Sequence, residues 1–131
     1  MYERLATAIA AALHDIDAQG GIRPGVIDEA WADFPGQESA MLAWPDGSRV
    51  GIWVMKATPV AEQFAAVADQ IQDAEVEALA AVSRSAVWPE CPRHPNSHPL
   101  SAIVRDDVAV WACKVIDGVI APIGALGIST D

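Results

Sequence analysis

Two apolar runs, Ala40-Met-Leu-Ala-Trp44 and Val50-Gly-Ile-Trp-Val-Met55, stand on either side of Pro45-Asp46-Gly47-Ser48, and this pairing constrains the chain more than any other stretch. Asp-Gly between apolar runs is a strong hairpin signal, because both residues accept the positive φ angles that a two-residue turn requires. With Asp46-Gly47 as that loop, Trp44 faces Arg49, Ala43 faces Val50, Met41 faces Ile52 and Ala40 faces Trp53. One face then carries Leu42, Trp44, Trp53 and Met55, and the other Met41, Ala43, Val50, Ile52 and Val54. Both faces are apolar, whereas an antiparallel sheet ordinarily leaves one face in water. The hairpin is therefore expected to be covered on two sides, by helices, by the second half of the chain or by another subunit.

The flanking segments supply the rest of an α+β order. Leu5, Ile9, Leu13 and Ile16 recur at three- and four-residue steps, which predicts a helix from about Glu3 to Ala18 closed by Gly20 and Gly21. A first strand near Val26 to Phe34, ending at Phe34-Pro35-Gly36-Gln37, makes the hairpin a three-stranded antiparallel meander; Ile27 to Trp31 also suits a short helix. Thr58-Pro59 opens a second helix, with Thr58 as N-cap and Pro59 at the first helical position. Its buried stripe is Phe64, Val67, Ile71, Ala74, Ala78 and Val82, and Glu62, Asp69, Asp73, Glu75 and Glu77 are read as exposed. A proline-dense loop, Pro89 to Pro99, leads into apolar runs Leu100 to Val104, Val108 to Cys113 and Val119 to Leu126, joined through Asp106-Asp107 and Asp117-Gly118. These predict a second meander, with Pro122 putting the last strand at an edge. The expected architecture is one domain over residues 1–131: helix, meander, helix, Cys/His loop, second meander, with residues 88–126 a candidate zinc-binding subregion.

Composition narrows the partners. A formal net charge of −10, with no cluster of basic residues, works against nucleic-acid backbones and anionic membranes. The apolar stretches of Met1 to Gln19 are broken by Glu3, Arg4, His14, Asp15 and Asp17, too soon for a membrane span and in the wrong order for a secretory signal. Two cysteines in such a chain read as thiols or metal ligands rather than a structural disulfide, and the expected location is the cytoplasm.

Chemistry concentrates in one place. Cys91-Pro-Arg-His94-Pro-Asn-Ser-His98, followed by Cys113, gathers both cysteines and two of the three histidines. Two thiolates and two imidazoles suit zinc, and a Cys-x2-His spacing lets Cys91 and His94 reach one ion from a single turn. With Asp106-Asp107 as the hairpin loop, Leu100 faces Cys113, so the strand thiol lies beside the loop that carries His98. Prolines 92, 95 and 99 reduce the entropy lost on ordering that loop. The same residues also suit a metal-free core, a disulfide or a reactive thiol polarised by imidazole. No Gly-rich phosphate loop, nucleophile elbow or His-Glu-x-x-His motif occurs, and Asp28-Glu29 and Asp106-Asp107 read as turn and surface pairs.

Trp88-Pro-Glu-Cys91-Pro-Arg-His94, His98-Pro-Leu100, Val110-Trp-Ala-Cys113 and Ile123-Gly-Ala-Leu126 together resemble a tail of uncharacterised small actinobacterial proteins. The resemblance covers the last third of the chain, departs from it at Lys114, where proline is frequent, and implies no activity. The order helix, three strands, helix in an acidic chain is also similar in topology to secretion-chaperone-like domains, which implies dimers that bind protein partners. The expected function is a non-enzymatic protein-binding or adaptor domain, acting on a protein partner or as a homo-oligomer, with a structural zinc site on Cys91, His94, His98 and Cys113. The rival expectation is a small-molecule binder or small hydrolase with a pocket lined by Trp31, Trp44, Trp53 or Trp111.

Overall fold

Leu5, Ile9, Leu13 and Ile16 are all buried along one side of the first helix in the computed structural model, which describes residues 2–31 and 34–128. The elements are α1 (Glu3–Ala18), β1 (Gly25–Ile27), β2 (Gln37–Ala43), β3 (Arg49–Met55), α2 (Val60–Ala81), β4 (Ser101–Arg105), β5 (Val108–Cys113) and β6 (Gly118–Pro122). Two antiparallel sheets, β1-β2-β3 and β4-β5-β6, make this the expected α+β order of helix, meander, helix, second meander. Gly20 ends α1 with φ of 66°, a conformation that costs glycine nothing.

The first hairpin forms one residue away from its expected register: Ala43 pairs with Arg49, Leu42 with Val50 and Ala40 with Ile52. Trp44 leaves the ladder and enters the turn, where its carbonyl accepts the Gly47 N–H and its own N–H donates to the Ser48 carbonyl, both at 2.9 Å. The Asp46 carboxylate accepts the Ser48 N–H at 2.9 Å and the Ser48 hydroxyl at 2.6 Å, which stabilises the longer loop. A slip of one residue exchanges the faces of a strand. Ile52 and Val54 therefore join Ala40, Leu42 and Trp44 in the core, while Trp53 and Met55 turn outward and stay 39% and 41% exposed.

The expected cover on both faces is thus corrected. The inner face packs into the core with both helices, and on the outer face Trp31 lies across Gly51, where a Cβ would sit 2.4 Å from the indole ring. The Trp31 indole N–H donates to the carbonyls of Ala40 at 3.0 Å and Ile52 at 3.3 Å, and its backbone N–H to Ser39 Oγ at 3.1 Å. Those bonds carry the chain across the sheet after Ile27, so β1 is shorter than the expected strand and Ile27 to Trp31 is not helical. Residues 32 and 33, within the expected first strand, lie outside the described residues.

α2 begins at Val60 with Pro59, not Thr58, as its N-cap, and no side chain caps it. Gln63 serves the preceding turn instead, its Nε2 donating to the carbonyls of Lys56 at 3.2 Å and Thr58 at 2.7 Å. Val67, Ile71 and Ala74 are buried as expected, Phe64 and Ala78 are half-buried, and Val82 is exposed. Glu75, expected at the surface, is fully buried together with most of Gln72. The reason is spacing, because 72 and 75 lie one turn beyond buried Ala68 and Ile71 and so share their face. Glu75 Oε1 accepts the Ile22 N–H at 2.9 Å, whereas Oε2 has no hydrogen-bond partner.

In the second meander Arg105 pairs with Val108 and Ser101 with Ala112, the expected register. Asp106 and Asp107 take φ of 52° and 62°, the two positive values of a type I′ turn. The other turn differs: Gly118 belongs to β6 and pairs with Cys113, leaving residues 114–117 as the loop. β6 is an edge strand, as Pro122 requires, but it stops there rather than at Leu126. The chain is drawn away by Asp15, which is fully buried and whose carboxylate accepts Trp111 Nε1–H at 2.7 Å, Gly124 N–H at 2.6 Å and Leu126 N–H at 3.0 Å.

Asp15→Ala should strand those three donors, two of them buried, and lower stability by roughly 3 kcal/mol; urea unfolding with an unchanged midpoint would show that the carboxylate is dispensable. Burial pushes the Glu75 carboxyl above its ordinary range, and the Ile22 amide, the nearby Trp44 indole and the Arg84 guanidinium oppose it only in part. A raised carboxyl stabilises the fold fully below its unfolded pKa and loses that contribution as pH rises through the folded one. Glu75→Gln should therefore raise Tm at pH 8, by a margin that shrinks toward pH 5; a margin independent of pH would contradict this assignment.

Candidate metal centre

The loop between α2 and β4 is tied down at both ends by glutamine amides. Gln72 Nε2 donates to the carbonyls of Trp88 at 3.1 Å and Leu100 at 2.6 Å, and the Leu100 N–H donates to the Pro89 carbonyl at 2.8 Å. Gln19, just past α1, accepts the Glu90 N–H at 2.7 Å and donates to the Glu90 carbonyl at 3.1 Å. Between these anchors the chain makes two successive tight turns, closed by His94 N–H to the Cys91 carbonyl and Ser97 N–H to the His94 carbonyl, each at 3.1 Å. Cys91, His94 and His98 then point the same way, toward the C-terminal end of β5.

There they meet Cys113. One donor atom from each of Cys91, His94, His98 and Cys113 lies within 4.8 Å of every other, an arrangement that can hold a metal ion. His94 Nδ1 stands 3.5 Å from Cys91 Sγ, 3.4 Å from Cys113 Sγ and 3.1 Å from His98 Nε2, and Cys113 Sγ stands 3.5 Å from His98 Nε2. A ring nitrogen carries one proton or one lone pair, so Nδ1 cannot hydrogen-bond to three neighbours at once. All three contacts do arise together when the atoms surround a common centre.

The surroundings prepare the donors. His98 Nδ1 lies 2.9 Å from the Pro99 carbonyl, which can only accept, so the proton is on Nδ1 and the Nε2 lone pair faces the cluster. Cys91 and Cys113 are fully buried and the two imidazoles half-buried, so the cluster opens to solvent on the histidine side. Burial resists ionisation of Cys113, but the amides of Ile116 and Val115, with Cys91 and His98 adding to them, outweigh it and hold the thiol below its ordinary pKa. Both cysteines are free thiols.

The four tryptophans of the rival expectation do not meet at one cavity among the described residues. Trp111 is buried against Trp88, with ring centroids 5.6 Å apart, Trp44 packs in the core, and Trp31 and Trp53 sit on the outer face of the first sheet. A groove of about 670 Å³ between α2 and β4 contains no tryptophan. Sequence reasoning missed Gln19, Gln72 and Asp15, which anchor the cluster's loop and strand; only Gln72 had a signal, its place on the buried face of α2.

No protein-family model, curated protein or solved structure matches the chain.

Cys113→Ser removes the only donor that β5 contributes. It should weaken binding of a thiophilic divalent ion by more than about tenfold, read by competition with a chromophoric chelator; unchanged affinity would show that Cys113 is not a ligand.

Proposed function

We propose that the chain is a non-enzymatic protein-binding domain whose tail is held by a structural zinc ion on Cys91, His94, His98 and Cys113. The observation that carries the zinc assignment is the spacing of the donors. Zinc bonds of about 2.3 Å to sulfur and 2.0–2.1 Å to nitrogen put tetrahedral donors about 3.5 Å apart for S···N and about 3.4 Å for N···N. Three of the four S···N separations, Cys91–His94, Cys113–His94 and Cys113–His98, are 3.4 to 3.5 Å, the N···N separation is 3.1 Å, and all four donors lie within 4.8 Å of one another. Two thiolates with two imidazoles favour zinc over calcium or magnesium, which prefer oxygen. Four protein donors leave no position for water, so the ion's work is to join the loop to β5.

Support for protein binding comes from the first sheet. Its outer face presents Met41, Trp53 and Met55 beside Trp31, and aromatic and methionine side chains are enriched at interfaces. A net charge of −10 repels a second copy and favours a cationic partner.

Protein purified without a histidine tag should contain one zinc per chain by elemental analysis. Cobalt in its place should give the visible absorption of a tetrahedral thiolate site, and chelation should lower Tm by roughly 10 °C. Zinc-free protein with the same Tm would remove the clasp. A thermal-shift screen in which a class of metabolites stabilises the zinc-loaded protein would replace protein binding with small-molecule binding.

A further inference from the structure

α2 meets one edge of each sheet and treats the two edges differently. At β3 the Gln70 amide occupies the outward peptide groups of Trp53, accepting its N–H at 3.1 Å and donating to its carbonyl at 2.8 Å. At β4 the corresponding glutamine, Gln72, reaches only the Leu100 carbonyl, just before the strand begins. The outward direction of Leu100, together with the Arg105–Val108 pair that closes the two-residue turn, fixes the parity of β4. Residues 101, 103 and 105 bond to β5, and the N–H and C=O groups of Ala102 and Val104 point away from it. Among the described residues nothing hydrogen-bonds to those four groups.

The groove of about 670 Å³ starts at this edge, with Leu100, Ala102 and Ile103 on one wall and Asp69, Asp73 and Glu77 of α2 on the other. We infer that this groove takes an extended peptide segment bearing lysine or arginine at alternate positions, which adds to β4 as a fourth strand. The inference rests on reading the chain as a protein-binding domain and supplies the partner's chemistry. An unpaired strand edge is a template for main-chain pairing, and alternate side chains of the added strand give the specificity. Asp69, Asp73 and Glu77 are spaced four residues apart, about 6 Å along a helix. Alternate residues of a strand are about 6.6 Å apart, so successive cationic side chains fall in step with successive carboxylates.

Within the groove the cation already present is Lys114. Burial and the repulsion of Asp73 hold Asp69 above its ordinary pKa despite Lys114, so a further cation relieves an existing strain of charge. The metal cluster borders the same groove, since His98 precedes Pro99 and Leu100 on its wall and Cys113 precedes Lys114.

The zinc-loaded full chain should be titrated with acetyl-Lys-Val-Lys-Val-Lys-Val-Lys-amide and with the analogue in which every lysine is glutamate, followed by amide NMR. The lysine peptide should bind and slow solvent exchange at Ala102 and Val104, and the glutamate peptide should bind at least about tenfold more weakly. Asp73→Lys with Glu77→Lys should weaken the lysine peptide by about tenfold, and Lys114→Ala should tighten it, a gain that loss of fold cannot mimic. Ala102→Pro removes an N–H that the ladder does not use and should abolish slowing at Val104; if that variant does not fold, the charge variants decide. Equal binding of both peptides, or lysine-peptide binding that leaves Ala102 and Val104 exchange unchanged, overturns the inference. Neither result bears on the zinc analysis or the metabolite screen.

Discussion

The Asp15 carboxylate is the contact on which the arrangement of the second half of the chain depends. It reaches from the last turn of α1 to an indole in β5 and to two backbone amides beyond β6, residues 96 to 111 positions away in sequence. A buried carboxylate is tolerated only when its oxygens are supplied with donors, and a buried indole or amide only when it finds an acceptor. Here each requirement answers the other. The position of β5 relative to α1 is fixed by polar complementarity as much as by apolar packing, and β5 in turn fixes the thiol of Cys113.

Glutamine amides repeat the same solution at smaller scale. Gln19 on Glu90 and Gln70 on Trp53 each offer one acceptor and one donor to the N–H and C=O of a single residue, as a neighbouring strand would. Gln72 and Gln63 each bridge two carbonyls. These side chains pair backbone groups of Trp53, Trp88, Glu90 and Leu100, at one sheet edge and in an irregular loop, where no neighbouring strand does so. The proline-rich segment between α2 and β4 is thus anchored at both ends although it has almost no ladder of its own.

Much of this was legible in residue order, and the failures have physical causes. Helical periodicity located α1 to the residue, and Asp106-Asp107 set the second hairpin's register because two residues that tolerate positive φ leave one economical turn. That register is also what brought Cys113 to the loop with Cys91, His94 and His98. Asp46-Gly47 misled because the Asp46 side chain competes for Ser48 and recruits Trp44 into a longer turn, a choice made by side-chain hydrogen bonding and invisible to hydrophobic alternation. Glu75 reads by charge as a surface residue and Asp15 only as a break in an apolar run, yet each has long-range donors that only the folded chain provides. The short β1 follows from Trp31, whose bonds to Ala40 and Ile52 outweigh continued pairing.

The span of the Cys/His cluster bears on the order in which the molecule assembles. All four donors lie between positions 91 and 113, and the β4–β5 turn that aligns them is itself local. Loop closure over so short a separation has a small entropic cost, whereas the Asp15 and Gln19 bonds must close loops several times longer. An ion bound at the cluster would therefore organise a local hairpin at low entropic cost, leaving the long-range polar bonds to join that hairpin to the first helix.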